Sequence, residues 1–500
     1  MNAPLSNGQQ AAIDTSVTLD DKYTLKSGHA FMTGTQALIR LMMLQRQADE
    51  KRGLNTGGFI SGYRGSPLGN VDLTAAKAKK HLDQYHVKFH PGVNEDLAAT
   101  SVWGTQQVNM FPGAKYDGVF AMWYGKGPGV DRCGDVFKHA NLAGTSKHGG
   151  VLVIAGDDHA AKSSTAAHQS EHILKACGIP VLYPSTVQEY LDYGLHGIAL
   201  SRYTGLWVSM KCVTDVVESG AVVEINPDRV QPVIPEDFVL PADGVNIRTP
   251  DPVLAQEVRM NNYKWYAALA YARANKLNQI IWDSPHAKIG IITAGKSYLD
   301  TREALADLGI DEQVAKDIGI RLYKIGMTWP LESEGVREFA QGLEEILVVE
   351  EKRQILEYAL KEELYNWADE IRPRVVGKFD DSGEWSNLHG SGHGEWLLPA
   401  TYELSPAQIA RAIASRITRY FAGHPVEQSV KKRVEFLEAK EKALANVGKP
   451  DPNKDRVPHF CSGCPHNTST KVPEGSRALA GIGCHYMVTW MDREIGRAHV

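Results

Sequence analysis

The stretch Gly58-Phe-Ile60, followed by the turn Gly62-Tyr-Arg-Gly-Ser66-Pro-Leu-Gly69, decides the fold class. Its first part is typical of an apolar strand, and the glycine-rich part is typical of a turn that leads into a helix. Further apolar segments predict strands at 119–124, 151–155, 181–183 and 206–213. Helix-length segments separate these strands. Residues 22–226 are therefore expected to form an α/β domain with a doubly wound parallel sheet, whose ligand lies at the strand carboxyl ends.

A second alternation of strands and helices follows a proline-rich segment. Closely spaced prolines after Asn226 predict a linker over 227–286. Apolar segments at 289–293, 321–325 and 346–349 then predict a smaller α/β domain over 287–372. The segment 373–455 is predicted to be a connector, because it is polar and glycine-rich and contains a charged helix. A third unit is expected to begin at 456 and to run to 494.

The composition excludes several classes of protein. The chain has 500 residues, 43% hydrophobic and 23% charged, with a formal net charge of −5. This charge argues against a general nucleic-acid or membrane surface, and no apolar run reaches the ~20 residues that a membrane helix needs. The first residues lack the basic start and apolar core of a secretory signal. Three clustered and three scattered cysteines do not suggest a disulfide framework, so we expect a cytoplasmic protein.

The last six residues, 495–500, resemble the translation of a common sequencing adapter. We therefore expect them to be a non-native tail and the native chain to continue beyond Glu494. The alternative is an ordinary basic terminus.

Three cysteines lie close together near the end of the chain. They occur in Cys461-Ser-Gly-Cys464-Pro-His466 and in Gly481-Ile-Gly-Cys484-His485. Thiolates with glycine-rich turns are typical of soft-metal or iron–sulfur sites. The C-x-x-C spacing alone is also found in zinc ribbons and redox thiols, and a cubane cluster normally takes four ligands.

Several polar residues follow predicted strands. Glu95 begins a predicted helix, where a surface carboxylate is the plain interpretation because helix starts favour acids. Lys126 lies at the carboxyl end of strand 119–124, and Ser66 lies in a glycine-rich loop that matches no phosphate-binding consensus. The segment Asp157-Asp-His159 suggests either a metal site or, more commonly, a helix cap.

Taken together, the motifs resemble those of the thiamine-diphosphate-dependent 2-oxoacid:ferredoxin oxidoreductases, and most closely the long fused indolepyruvate ferredoxin oxidoreductases. The resemblance rests on Gly-Tyr-Arg-Gly-Ser-Pro, Val-Asn-Glu-Asp-Leu-Ala, the glycine-rich loop after Tyr124, Cys-Ser-Gly-Cys-Pro-His and Gly-Ile-Gly-Cys, in that order. It implies a thiamine-diphosphate-binding fold over 22–226 and a transketolase-C-like domain over 287–372. The start of a diphosphate-binding domain is implied over 456–494.

The resemblance also implies site residues. Glu95 matches the catalytic glutamate that bonds the aminopyrimidine of the cofactor. Ser66 and Lys126 match positions near the cofactor and substrate, although the loop Tyr-Arg-Gly-Ser-Pro differs from the commoner Tyr-Pro-x-Thr-Pro. Three of the four thiolates around a [4Fe–4S] cluster match Cys461, Cys464 and Cys484.

The implied activity is oxidative decarboxylation of a 2-oxoacid, indolepyruvate or another aryl pyruvate, to acyl-coenzyme A, with electrons passed through the cluster to ferredoxin. The Mg²⁺ motif and the fourth cysteine are expected beyond Glu494, so the chain alone should be inactive, and the full-length protein is expected to be a homodimer. Two alternatives stay open. One is a thiamine-dependent decarboxylase or synthase without ferredoxin, and the other is a non-catalytic zinc-ribbon or scaffold protein.

Overall fold

The structure is a computed structural model that describes residues 16–161, 166–380, 396–445, 456, 458–481, 484–491, 493 and 495–497. The chain divides into two compact units, residues 1–431 and residues 432–500. Parts of the predicted connector (381–395 and 446–455), Glu494 and part of the predicted tail (498–500) lie outside the described residues.

The strands of the described residues form sheets of seven, five, two and two strands. Their bounds are β1 Gly28–Thr33, β2 Thr56–Gly62, β3 Val87–Phe89, β4 Gly118–Lys126, β5 Val151–Asp157, β6 Val181–Leu182, β7 Val208–Val213, β8 Gly220–Ile225, β9 Gln279–Trp282, β10 Ile289–Ala294, β11 Ile320–Ile325, β12 Met327–Trp329, β13 Glu345–Val349, β14 Arg374–Val376, β15 Ala478–Ala480 and β16 Ile495–Arg497.

Helices connect most of these strands. Their bounds are α1 Asp21–Thr24, α2 Gly34–Lys51, α3 Val71–Lys77, α4 Lys79–Gln84, α5 Glu95–Thr105, α6 Gly127–Arg132, α7 Gly134–Ala143, α8 Glu171–Ala176, α9 Val187–Thr204, α10 Thr214–Val217, α11 Val253–Arg259, α12 Trp265–Ala274, α13 Gly295–Asp307, α14 Glu312–Ile318, α15 Ser333–Ala340, α16 Leu356–Leu364, α17 Pro406–Tyr420, α18 Pro425–Ala445 and α19 His466–Ser469. A π-helical segment covers Met260–Lys264, and 3₁₀ turns cover Val108–Met110 and Cys484–Trp490.

The seven-stranded sheet has the order β12-β6-β7-β5-β4-β2-β3 and is parallel except for β12. Its central strands are buried on both faces. Met122 and Ile154 join the core that α2 and α9 cover, whereas Trp123 and Val153 join the core with α5 and α7. This double burial explains why the strands are apolar without alternation. The predicted doubly wound parallel sheet is confirmed.

Local side-chain hydrogen bonds cap the starts of α2 and α9. The hydroxyl of Thr33 accepts a hydrogen bond from Gln36 N at 3.3 Å, and Gln36 completes the capping box at the start of α2. Thr186 likewise accepts from Glu189 N at 3.3 Å. The Glu189 carboxylate instead accepts from the backbone and hydroxyl of Ser185, at 2.7 and 2.8 Å. Only half of a capping box therefore forms at the start of α9.

The second sheet has the order β14-β13-β10-β11-β9. Its strands are parallel except β9, and the three predicted strands in this region are all present. The predicted linker 227–286 contains no helix or strand as far as Pro252 and then continues as α11, α12 and β9. Buried alanines of α12, such as Ala268, give this helix an apolar face that packs against α9. The two sheets confirm the α/β fold class.

The strands that sequence patterns did not predict are short, antiparallel or at sheet edges. The strands β1 and β8 pair antiparallel with Phe31 opposite Val222, both of them exposed. Of the helices in the described part of the chain, none is long and apolar enough to cross a membrane.

The second unit, residues 432–500, is small. The strands β15 and β16 pair in parallel, and Phe460, Ala480 and Val488 form a buried cluster. Residues 495–497 of the predicted tail thus form a strand.

Candidate functional site

The loops that follow β2, β3 and β4 converge at the carboxyl edge of the seven-stranded sheet. Gly92 N donates to Gly62 O at 2.8 Å, and Tyr63 N donates to Tyr124 O at 3.0 Å. A Cβ at position 62 would lie 2.1 Å from Tyr124 O, so only glycine allows this close approach. The predicted site residues Ser66, Glu95 and Lys126 all lie on these converging segments.

Lys126 lies across the loop that contains Ser66. A Cβ on Gly65 would be 2.6 Å from Lys126 Cδ, so the aliphatic part of the lysine packs directly on this glycine. Both Lys126 and Ser66 are half-buried. The tertiary structure therefore brings these two predicted residues together.

Glu95 is the first residue of α5, and it is buried, with 6% of its surface exposed. Asn94 caps the helix by accepting from Leu97 N at 2.9 Å, and the indole of Trp123 donates to Glu95 O at 3.1 Å. A Cβ at Gly129 would be only 2.6 Å from Glu95 Cγ. The interpretation of Glu95 as a surface carboxylate is therefore wrong, although its place at a helix start is as predicted.

The Glu95 carboxylate has unused hydrogen-bonding capacity. Across the described ranges of the chain it accepts no hydrogen bond, and its nearest cationic atom is Arg132 Nη1, 3.7 Å from Oε2. Arg132 donates instead to Asp96 Oδ2 from Nε at 2.9 Å, with Nη2 at 2.8 Å from the same oxygen. A buried carboxylate normally has hydrogen-bond donors, so this one is suited to a ligand that donates an N–H.

The segment after β5 anchors a helix. Asp157 accepts from Ser170 N at 2.9 Å and from its hydroxyl at 2.5 Å, just before α8. Lys211 is paired with Glu171 at 2.7 Å and lies 3.6 Å from Asp157. Burial lowers the pKa of Lys211, but these two carboxylates outweigh it and raise the pKa above its ordinary value. In the part of the chain that the structure describes, no three Cys, His, Asp or Glu side chains are placed to hold a metal.

Two residues of this edge were missed by sequence reasoning. His168 Nε2 lies 2.9 Å from Asp131 Oδ2, and a Cβ at Gly127 would be 2.1 Å from Cδ2 of the same ring. The pair joins the loop after β5 to α6. No sequence spacing links an aspartate and a histidine on separate elements, so only the fold reveals the contact.

The cysteine motifs lie in the second unit. Cys464 N donates to Cys461 O at 3.0 Å, and the rings of His466 and His485 are 5.5 Å apart. The two motifs are thus neighbours. Cys461 and Cys484 are exposed and Cys464 is half-buried, yet the described residues do not bring three ligands into a metal-binding group. The thiols are chemically suited to a cluster, and their ligation stays a prediction.

The other three cysteines are packed in the first unit. All are buried, and burial raises the pKa of each thiol: Cys133, Cys177 and Cys212. They are small apolar side chains there rather than ligands.

Comparison with known proteins places this chain among relatives. Residues 278–447 match the family model of the indolepyruvate ferredoxin oxidoreductase middle domain. The IorA subunit of indolepyruvate oxidoreductase from Methanothermobacter marburgensis is 27% identical over 435 residues, which cover 85% of this chain and 59% of that protein. The subunit from Pyrococcus horikoshii is 27% identical over 465 residues, which cover 89% and 62%. This chain therefore spans about three fifths of the length of these relatives.

A solved structure has a similar fold. The 2-oxoglutarate:ferredoxin oxidoreductase from Magnetococcus marinus, with 2-oxoglutarate, coenzyme A and succinyl-CoA bound, gives a TM-score of 0.52 at 16% identity. The match covers 78% of this chain and 65% of that chain. At this identity the match supports the fold.

Proposed function

We propose that this chain belongs to the 2-oxoacid:ferredoxin oxidoreductases of the indolepyruvate type, because its motifs resemble theirs and its sequence is similar to their members. We propose that it forms the thiamine-binding part of an enzyme that oxidatively decarboxylates a 2-oxoacid. The proposed substrate is indolepyruvate or another aryl pyruvate, the acyl acceptor is coenzyme A, and the electron acceptor is ferredoxin. The names of the relatives support a 2-oxoacid as the substrate. That the substrate carries an aryl group is a more specific part of the proposal.

The observation that carries the proposal is the buried carboxylate of Glu95, whose oxygens are available to a ligand. An aminopyrimidine offers a ring nitrogen that can share a proton with such a carboxylate. Glu95 is 6% exposed, and its carboxylate accepts no hydrogen bond from the residues that the structure describes. Bound thiamine diphosphate would supply the carbanion that attacks the 2-oxo carbon. The role of Glu95 would be to hold the proton at the pyrimidine ring nitrogen.

Lys126 and Ser66 are proposed to complete the cofactor and substrate contacts. Their loops follow neighbouring parallel strands, β4 and β2, and the lysine packs on Gly65. The carboxyl edge of such a sheet is where ligands of doubly wound folds bind. A lysine there supplies positive charge for an anionic ligand, and a serine hydroxyl can donate a hydrogen bond.

Cys461, Cys464 and Cys484 are proposed as three ligands of the [4Fe–4S] cluster, and a Mg²⁺ ion is proposed to bind the diphosphate. The soft thiol donors and the adjacent motif segments support the cluster. The Mg²⁺ ligands have no assignment on the residues that the structure describes. A cytoplasmic location and a homodimer are part of the same proposal.

The test uses the protein expressed from its complete gene and purified without oxygen. With thiamine diphosphate, Mg²⁺ and coenzyme A, it should reduce methyl viologen when indolepyruvate or phenylpyruvate is added. Release of aldehyde without viologen reduction would point to a plain decarboxylase. Stoichiometric zinc, no iron and no thiamine diphosphate binding would overturn the enzyme proposal in favour of a scaffold.

A further inference from the structure

Residues 168–171, after the loop that follows β5, are held in place at every position. His168 N donates to Asp158 O at 3.3 Å. The Gln169 amide donates to Arg353 O at 2.8 Å and accepts from Arg353 N at 2.9 Å. Ser170 donates hydrogen bonds to Asp157, and Glu171 forms an ion pair with Lys211. His168 is therefore presented by a rigid base, which a binding site needs.

The His168 ring faces the start of α6 rather than solvent. Its side chain is 15% exposed, and Nε2 lies 2.9 Å from Asp131 Oδ2. Gly127 follows Lys126 directly, and its missing side chain leaves the space that the ring occupies. The fold thus places an imidazole next to the predicted site residue Lys126. With Nε2 directed at Asp131, Nδ1 is the nitrogen left to bind another group.

The charges around His168 favour the imidazolium form. Burial and the positive charge of Lys126 lower its pKa, whereas the hydrogen bond and charge of Asp131 and the charge of Asp157 raise it. The net effect is a pKa above the ordinary value for histidine. Two side chains that can carry positive charge, His168 and Lys126, therefore occupy neighbouring positions at the carboxyl edge of the sheet.

We propose that His168, oriented by Asp131, binds the carboxylate of the 2-oxoacid substrate. This inference rests on the proposed function and deepens it by naming a substrate-binding residue that neither the sequence motifs nor the names of the relatives assign. The imidazolium donates a charge-assisted hydrogen bond from Nδ1 to the carboxylate, and Asp131 holds the ring in the required orientation. The pair selects acids against ketones or aldehydes of the same shape.

The chain offers a matched control for this pair. His139 lies 3.5 Å from Asp135 on the surface of α7, with 64% of the histidine side chain exposed. His168→Gln and Asp131→Asn are therefore compared with His139→Gln in the complete, cofactor-loaded enzyme. The ligand probes are phenylpyruvate and phenylacetone, in which a methyl group replaces the carboxylate.

We expect His168→Gln to weaken the binding of the acid, phenylpyruvate, and to leave the binding of the ketone, phenylacetone, unchanged. His168→Gln should raise the KM for phenylpyruvate roughly 10- to 100-fold, because a hydrogen bond to a charged group is lost. Its kcat should not fall by more than about threefold, because the carboxylate gives up its charge as CO2 leaves and the contact does not stabilise that transition state. Inhibition by phenylacetone should not change, and His139→Gln should behave as the parent.

A second readout does not depend on turnover. In histidine NMR titrations, Asp131→Asn should lower the midpoint of His168, because the hydrogen bond and charge of Asp131 raise the pKa of this histidine. Affinity for phenylpyruvate should fall as pH rises through the midpoint measured for His168, because the neutral ring carries no charge. Asp131→Asn should move that fall to lower pH.

Three outcomes would overturn the inference. An unchanged KM for phenylpyruvate in His168→Gln would exclude carboxylate binding. Equal weakening of phenylpyruvate and phenylacetone would assign His168 a purely structural role. If His168→Gln does not fold, an unshifted pH profile in Asp131→Asn decides against the proposal. Failure of the proposed function is distinguishable, because the parent enzyme would then oxidise no 2-oxoacid at all.

Discussion

Gly129 lies directly against the carboxylate of Glu95. A Cβ at position 129 would come within 2.6 Å of Glu95 Cγ and 2.9 Å of Oε1. The backbone of α6 therefore packs against one side of this side chain. From the sheet, Trp123 Nε1 donates a hydrogen bond to Glu95 O at 3.1 Å. Such close packing leaves the carboxylate little freedom to change rotamer.

Gly129→Ala should displace the Glu95 carboxylate. The added methyl group has no free space, and overpacking of this kind costs roughly 1–3 kcal/mol. We expect thiamine diphosphate to bind about tenfold more weakly or worse, as measured by calorimetric titration of the complete protein with Mg²⁺. The matched control is Gly134→Ala, where a Cβ would meet nothing within 4 Å. Equal cofactor affinity in the two variants would show that this packing does not position Glu95.

Glu95→Gln should keep the fold and remove most of the turnover. The neutral amide cannot take part in proton transfer at the pyrimidine, and general acid–base contributions of roughly 10²–10⁴-fold set the expected loss. Viologen reduction with a 2-oxoacid measures it. Glu312→Gln is the control, because Glu312 also begins a helix, α14, but is exposed. Turnover of Glu95→Gln within threefold of the parent would rule out the proposed role.

Cys464→Ser should lose the iron–sulfur cluster. In parent protein expressed from the complete gene, we expect a broad absorbance at about 400 nm that bleaches on reduction. This absorbance should be missing from the Cys464→Ser variant, because one thiolate ligand is lost. Iron analysis provides the measurement. Cys177→Ala should retain the full iron content, since Cys177 is buried in the first unit and is not a ligand candidate. Iron retained in Cys464→Ser would exclude this cysteine as a required ligand.

Lys264 should make stability depend on pH. The side chain is fully buried, its Nζ lies 3.4 Å from the backbone oxygens of Asn141, Leu142 and Gly205, and burial lowers its pKa to about 7. Between this value and the ordinary pKa of lysine, the unfolded chain binds more protons than the folded one. Stability should therefore rise with pH across that window.

Lys264→Met should remove this dependence. We expect the difference in unfolding free energy between parent and variant to change by roughly 3–5 kcal/mol between pH 7 and pH 10.5, in favour of the parent at high pH. Urea denaturation at the two ends of the range measures it. Lys138→Met, which alters an exposed lysine of α7, is the control. Parallel pH profiles for parent and Lys264→Met would contradict the prediction.

The sequence by itself determined the parallel core of the fold. Strands such as β4 and β5 are buried on both faces, and double burial leaves a continuous apolar run that is visible without any structure. The capping box of Thr33 and Gln36 at the start of α2 is also formed by residues close together in the sequence. Local sequence patterns were sufficient to predict these strands.

Only the tertiary structure decided the environment of the candidate site. A first-turn carboxylate is exposed at Glu312 and buried at Glu95, although both begin helices. The difference comes from Gly129 and Trp123, which approach Glu95 from other elements. The antiparallel edge strand β12 and the pair of His168 with Asp131 are decided in the same way. Burial and pairing between distant segments depend on how the whole chain packs, which no local pattern of residues encodes.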